Sequence, residues 1–168
     1  MSNAAILSIK PVYANQILAG TKTVELRKTA MGLSAGDVIL VYSSAPEQRI
    51  GFWVRVNEIE TLPVDQMWQR HHERLGIGHE GYADYFSGTR SAVGFHIGEL
   101  HPLLPVPLVE IRRLVPGFVP PQGIIWLRDE VGRYEKLFTA LSDPLPKDIF
   151  SQQSLGLDLG SPRRRRTG

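Results

Sequence analysis

The chain of 168 residues contains no cysteine, which excludes a disulfide framework, thiolate chemistry and any cysteine-based metal site. No apolar run is long enough for a membrane span, and the start lacks the basic and apolar regions of a secretory signal. A cytoplasmic protein without membrane contact is therefore expected, in keeping with a reducing compartment. A P-loop string is also missing, so a nucleoside-triphosphate reading drops out. Gly76-Ile77-Gly78-His79-Glu80-Gly81 and Gly32-Leu33-Ser34-Ala35-Gly36 match the Gly-x-Gly-x-x-Gly and Gly-x-Ser-x-Gly strings. The first follows an expected helix and the second lies in an expected loop, not the strand-to-helix turn those motifs need, so dinucleotide and α/β-hydrolase readings drop out as well. No cofactor is expected. Nor is a metal: His71 and His72 are adjacent and point about 100° apart on a helix. His79 lies beyond a glycine, and neither His-x3-His nor His-Glu-x-x-His occurs. There are no internal repeats.

Charge of one sign is scarce once the end of the chain is set aside. Four of the nineteen Lys and Arg are Arg163 to Arg166, and removing them leaves fifteen against seventeen acids, about −2 for the body. A body so close to neutral is not a broad nucleic-acid binder, and a small pocket is favoured over a groove that tracks a duplex. The Arg163–Arg166 run is a solvated tail first and a phosphate contact second.

What the chain does have is one organised stretch near its beginning. Ala4 to Ile9 is an apolar run interrupted only by Ser8, as in a buried strand. Pro11 fits the first position of a helix, Val12, Ile17 and Leu18 fall near one of its faces, and Gly20 is its expected stop. From Lys22 the period switches to two, with Thr23, Glu25 and Arg27 facing one way and Val24 and Leu26 the other. Lys10, Lys22 and Arg27 around the single carboxylate of Glu25 read either as a solvated strand face or as a site for an anion or amide.

Lys28 to Asp37 reads as a loop and Asp37 to Ser44 as a strand, ending in Tyr42, Ser43 and Ser44. Ile50 to Glu60 alternates Phe52, Val54 and Val56 against Trp53, Arg55 and Asn57, as in a half-exposed strand whose Gly51 suits a bulge. Helices are expected over Leu62 to Leu75 and Gly78 to Phe86. In the second, Tyr82, Tyr85 and Phe86 are spaced to pack inward, with Tyr85 as an alternative stacking platform. Ser91 to Leu100 reads as a strand whose Gly94 and Gly98 leave room beside His96, a pocket group or a surface imidazole. Val106 to Val115 reads as a further strand, and Glu130 to Ala140 as a helix docked by Leu137 and Phe138. Between them lies a proline-fixed loop in which Gln122 offers an amide to a base edge. From Ser142 the signal for order fades.

Lys10-Pro11 after the first strand, then Gly20-Thr21-Lys22-Thr23-Val24-Glu25-Leu26-Arg27 after the helix, resembles the opening of the ASCH domain family, a branch of the PUA-like β-barrels. Its pattern there is Lys-Pro, a helix, then Gly-x-Lys-x-x-Glu-x-Arg, and the resemblance runs from Ala4 to Leu127. The expected fold is α+β: a small mixed PUA-like β-barrel of five to six strands with an early helix and a helical insertion. The domain is expected to span residues 1–141, followed by a flexible tail over 142–168, in a monomer. The resemblance implies binding of RNA or a modified nucleobase or nucleoside. Lys22 and Glu25 would be the reactive pair, and Lys10, Arg27, Tyr42, Ser43, Ser44, Tyr85, His96 and Gln122 would line the ligand. It also implies two enzymatic alternatives, a ribonuclease or an amidohydrolase similar to those acting on N4-acetylcytidine. In the latter group a Thr nucleophile occupies the position of Glu25, Thr23 is the nearest hydroxyl, and Glu73 or Glu80 would have to supply a second acid.

Overall fold

The computed structural model describes residues 2–149. Its axis is β1 (Ala4–Ile9), buried along almost its whole length because Ala, Ile and Leu occupy five of its six positions and both sheet faces are covered. α1 (Pro11–Ala19) follows at once, with Pro11 at its first turn and Gly20 closing it at φ 80°. That left-handed geometry is one a residue without Cβ adopts freely. Ala14 and Ile17 carry its buried face; Val12 and Leu18, expected beside Ile17, are 55% and 43% exposed.

Next come β2 (Val24–Arg27), β3 (Val38–Ser43) and β4 (Arg49–Pro63). The helical insertion is α2 (Val64–His71), a 3-10 turn at His72–Arg74 and α3 (His79–Tyr85). β5 (Ser91–Pro107), α4 (Leu108–Leu114), β6 (Ile124–Trp126) and α5 (Val131–Ala140) complete the order. The strands form one six-stranded sheet in the order β2-β5-β4-β3-β1-β6. β1 and β3 are parallel and every other pairing is antiparallel. The α+β class is therefore as expected, but the sheet is open: β2 and β6 are its two edges and do not pair. Curvature comes from register shifts along the long β4–β5 pair, one of them at Gly51 between Ile50 and Phe52.

Three apolar clusters cover the sheet. One gathers Ile6, Leu40, Trp53 and Ile111 with Tyr134 and Leu137 of α5. The second gathers Leu7, Ile39, Phe52 and Phe95 with Ile17 of α1. The third packs the insertion, through Met67, Tyr82 and Phe86, on Val24 and Leu26. Trp53, expected on a half-exposed face, is 2% exposed and stacks on His101 with ring centroids 3.8 Å apart; the long-range packing of α4 and α5 was not visible in local alternation.

Of the expected strand over Val106 to Val115, only Val106 and Pro107 are strand, as the end of β5; Leu108–Leu114 is helical instead, as α4. Leu108, Ile111 and Val115 recur at helical spacing, Ile111 and Val115 are buried, and Arg112 and Arg113 sit in the last turn where cations suit the helix dipole. Val109, which a strand would place on the same face as Ile111, is 76% exposed.

The residues after Leu141 hold to the sheet as far as they are described. Leu104 N donates to Ser142 Oγ at 2.8 Å, and His101 Nδ1 pairs with Asp143 Oδ2 at 2.8 Å. Arg55 forks onto Asp148 at 3.2 and 3.3 Å, and Ile149 is buried. The rest of the expected tail, Arg163 to Arg166 included, lies outside the described residues. Among the described residues no helix is long and apolar enough to cross a membrane.

Candidate functional site

The turn that ends α1 aims the central side chain. Thr21 N and Lys22 N both donate to Gln16 O, at 3.0 and 3.1 Å, which fixes the chain's exit and turns Lys22 inward. Lys22 is only 3% exposed. Its Nζ donates to Leu75 O at 2.6 Å, lies 3.5 Å from Glu25 Oε2, and sits over the Tyr13 ring at 5.3 Å. Burial pushes its pKa down; Glu25 opposes that shift, and the nearby Arg27 adds to it. The insertion reaches this amine because Gly76, at φ 67°, lies against its stem. A Cβ there would strike Gln16 Oε1 and come within 3.1 Å of Lys22 Cβ and Cδ.

β2 alternates as its sequence predicts. Val24 and Leu26 face the insertion's core, while Glu25 and Arg27 face the other way. Glu25 Oε1 accepts from Arg27 Nε at 3.1 Å and lies 3.0 Å from Nη2, so the carboxylate is held between two cations. Arg27 Nη2 also donates to Ser8 O at 2.9 Å. These groups line a cavity of about 770 Å³, a size common for ligand sites.

The opposite wall is made by the ends of β1 and β3. Ser8 and Tyr42 are register partners there. Ser8 Oγ and Tyr42 Oη are both buried without a hydrogen-bond partner, and burial raises the Tyr42 pKa against the pull of Arg112. Two unpaired hydroxyls side by side are costly unless something polar meets them. Lys10 and Ser44 stand at the rim, and Pro120, Pro121 and Gln122 close one side. Tyr85, 39% exposed, closes the other with its ring under Lys28 Nζ at 5.3 Å. Burial raises its pKa too, with Arg27 opposing.

Of the residues singled out from sequence, Lys10, Lys22, Glu25, Arg27, Tyr42, Ser44, Tyr85 and Gln122 thus meet at one cavity. Ser43 and His96 do not. Neighbouring positions on a strand face opposite ways, so Ser43 turns from the cavity that Tyr42 lines and donates to Glu47 Oε2 at 2.9 Å. His96 packs beneath α2 with Nε2 3.2 Å from Glu60 Oε2. The space expected beside Gly94 is filled by Val24 and Met67, at 2.9 and 3.2 Å from where a Cβ would stand. Sequence reasoning passed over Tyr13 and Ser8, although Ser8 had a signal in being the one hydroxyl in an apolar strand. Thr23 Oγ1 accepts from Arg74 Nε at 2.8 Å and does not line the cavity, and Glu73 and Glu80 are exposed away from it. A buried amine, a fork-shaped cation, an acid between them and two unpaired hydroxyls together suit an anionic, hydroxyl-bearing guest.

A family model described as the ASCH domain matches residues 7–103, more than half of the chain. The chain belongs to the ASCH domain family. It is 29% identical over 126 residues to an ASCH domain-containing ribonuclease of Zymomonas mobilis, covering 75% of this chain and 85% of that protein. The crystal structure of ASCH from Zymomonas mobilis superposes with a TM-score of 0.77 at 28% identity, covering 85% of this chain and 99% of that one. Crystal structures of a Tyr-to-Phe and a Ser-to-Ala mutant of the Zymomonas ASCH protein each give a TM-score of 0.76 at 28% identity, covering 83% of this chain and 99% and 97% of theirs.

Proposed function

We propose that this ASCH protein is a ribonuclease that takes single-stranded RNA into the Lys22–Glu25–Arg27 cleft. The observation that carries the reading is the Lys22 amine, held almost wholly out of solvent at a cavity wall with Arg27 beside it. A buried cation pair with an exposed rim suits a phosphodiester, whose charge grows in the transition state of cleavage. The ribonuclease named among its relatives supports the same chemistry, and the near-neutral body favours a single strand, with a splayed base, over a helix.

The roles follow from donor and acceptor chemistry. Arg27 and Lys22 hold the phosphate oxygens, and Lys10 guides the strand at the rim. Glu25 takes the proton of the attacking 2′-hydroxyl, the 2′-oxygen bonds to phosphorus, and the 5′-oxygen leaves. Tyr42, kept protonated by its raised pKa, gives that oxygen its proton. Tyr85 stacks a base and Gln122 reads an edge. The amidohydrolase alternative lacks that group's Thr nucleophile, since Glu25 stands at its position and Thr23 bonds Arg74.

Incubation with a short single-stranded RNA tests the reading. Cleavage leaving a 2′,3′-cyclic phosphate is expected. A DNA of the same sequence, lacking the 2′-hydroxyl, is bound and left whole, and N4-acetylcytidine is unchanged. Lys22→Ala removes turnover. RNA bound but uncut by the wild type overturns the enzymatic reading and leaves a binding module.

A further inference from the structure

Three side chains remote in sequence converge under the C-terminal end of α2, away from the cleft residues. β4 and β5 pair Glu58 with His96 and Glu60 with Gly94, which makes Glu60 and His96 diagonal neighbours across the two strands. His71 is the last residue of α2 and lies one turn beyond Met67 on the same helix face. Met67 packs where Gly94 has no side chain, and that contact brings His71 down onto the strands. His71 Nε2 reaches Glu60 Oε2 at 2.6 Å and His96 Nε2 reaches the same oxygen at 3.2 Å. One ligand atom from each residue lies within 4.8 Å of the others.

We propose that Glu60, His71 and His96 form a binding site for a divalent transition ion of the zinc class, which fastens α2, and through it the insertion whose later residues Ile77, Gly81 and Tyr85 line the cleft, to β4 and β5. Two imidazole nitrogens and one carboxylate oxygen are a donor set that suits zinc in preference to calcium or magnesium. A tetrahedral ion with bonds of about 2.0–2.1 Å holds neighbouring ligand atoms about 3.3 Å apart. The His96–Glu60 separation already matches that, and the His71–Glu60 pair needs to open by about 0.7 Å. Arg70 Nη1 donates to Glu60 Oε1 at 3.0 Å, an outer contact that orients the carboxylate and leaves Oε2 for the ion. Arg70 is itself 57% exposed, so solvent screens its charge, while the three ligand side chains are only 11–19% exposed.

The remaining histidines do not compete. His72 and His79 pack on Trp68, and His101 stacks on Trp53. Spacing arguments against a metal concern ligands on one helix face; here β4, β5 and α2 each supply one.

The test uses the full chain stripped of metal with a chelator. Cobalt chloride is expected to bind with one equivalent and give the intense visible bands of a four- or five-coordinate ion, and zinc chloride is expected to displace it and raise Tm. His71→Gln and His96→Gln each lose at least about 100-fold in zinc affinity, a ligand counting for no less than its outer-sphere support. A pale six-coordinate cobalt spectrum with no zinc-induced rise in Tm overturns the proposal, as does wild-type affinity in the double variant. Should a variant fail to fold, the wild-type cobalt spectrum and Tm decide alone. These readouts are independent of RNA cleavage, so the metal site and the ribonuclease reading stand or fall separately.

Discussion

Arg27 on β2 donates through Nη2 to the carbonyl of Ser8 on β1 at 2.9 Å, and so spans a gap between two strands that share no backbone pairing. The same guanidinium grips Glu25. Arg27→Lys keeps the charge and loses the fork. Chemical denaturation is expected to show a loss of about 1–2 kcal/mol, since a carbonyl and a carboxylate each lose a charged donor. RNA affinity falls by about tenfold or more. Unchanged affinity would mean that the guanidinium faces only its own protein.

Lys22 makes two pH effects of opposite sign. Its folded pKa is below the ordinary 10.5 because of burial, so in the window between the two values the unfolded chain binds more protons than the folded one. Lys22's contribution to stability therefore rises with pH through that window. Affinity for an uncleavable deoxy strand falls over the same window, because the amine loses its charge. Lys22→Met is expected to flatten both curves, read by denaturation and by fluorescence anisotropy.

Tyr42→Phe separates fold from chemistry. Its hydroxyl is buried with no partner, so deleting it is neutral or stabilising by up to about 1 kcal/mol. Cleavage is expected to drop by 100-fold or so, the lower end of what a proton donor contributes. A stability loss with full activity would place the hydroxyl in the core alone.

Tyr85 stands at the rim, 39% exposed. Tyr85→Ala is expected to change Tm little and to weaken single-strand binding by about 1–3 kcal/mol, the worth of one stacked base.

Gly76→Ala combines a left-handed backbone with a collision. The φ of 67° alone costs about 1 kcal/mol in any other residue, and the methyl would meet Gln16 Oε1 and the Lys22 stem. A total loss of more than about 2 kcal/mol is expected by denaturation, together with reduced turnover, since the carbonyl of Leu75 that holds Lys22 moves with it.

Much of this was written locally. β1, α1 and its Gly20 stop, and the alternation of β2 follow from Ser8, Pro11, Gly20 and the period-two run at Lys22, because each depends on neighbours within one turn or strand. So does the gathering of Lys22, Glu25 and Arg27, carried also by the family motif. The helix α4 was not legible, because Val109 and Ile111 fit the period of a strand while Leu108, Ile111 and Val115 fit that of a helix over so short a span, and only the packing of Ile111 and Val115 decides. His96 was misplaced for a related reason. Strand alternation gives its face but not what covers that face, and α2 comes from elsewhere in the chain. The openness of the sheet likewise depends on the bend of β4 and β5, set by register shifts that only Gly51 announced.

An edge laced by side chains can be undone without disturbing any main-chain ladder. On the proposed reading, a phosphate taking over the guanidinium of Arg27 would exchange its bonds to Glu25 and Ser8 for its own, with no strand having to unzip. A guest entering this cleft would then ask for a change of rotamer at Arg27 and not for the breaking of a strand pairing.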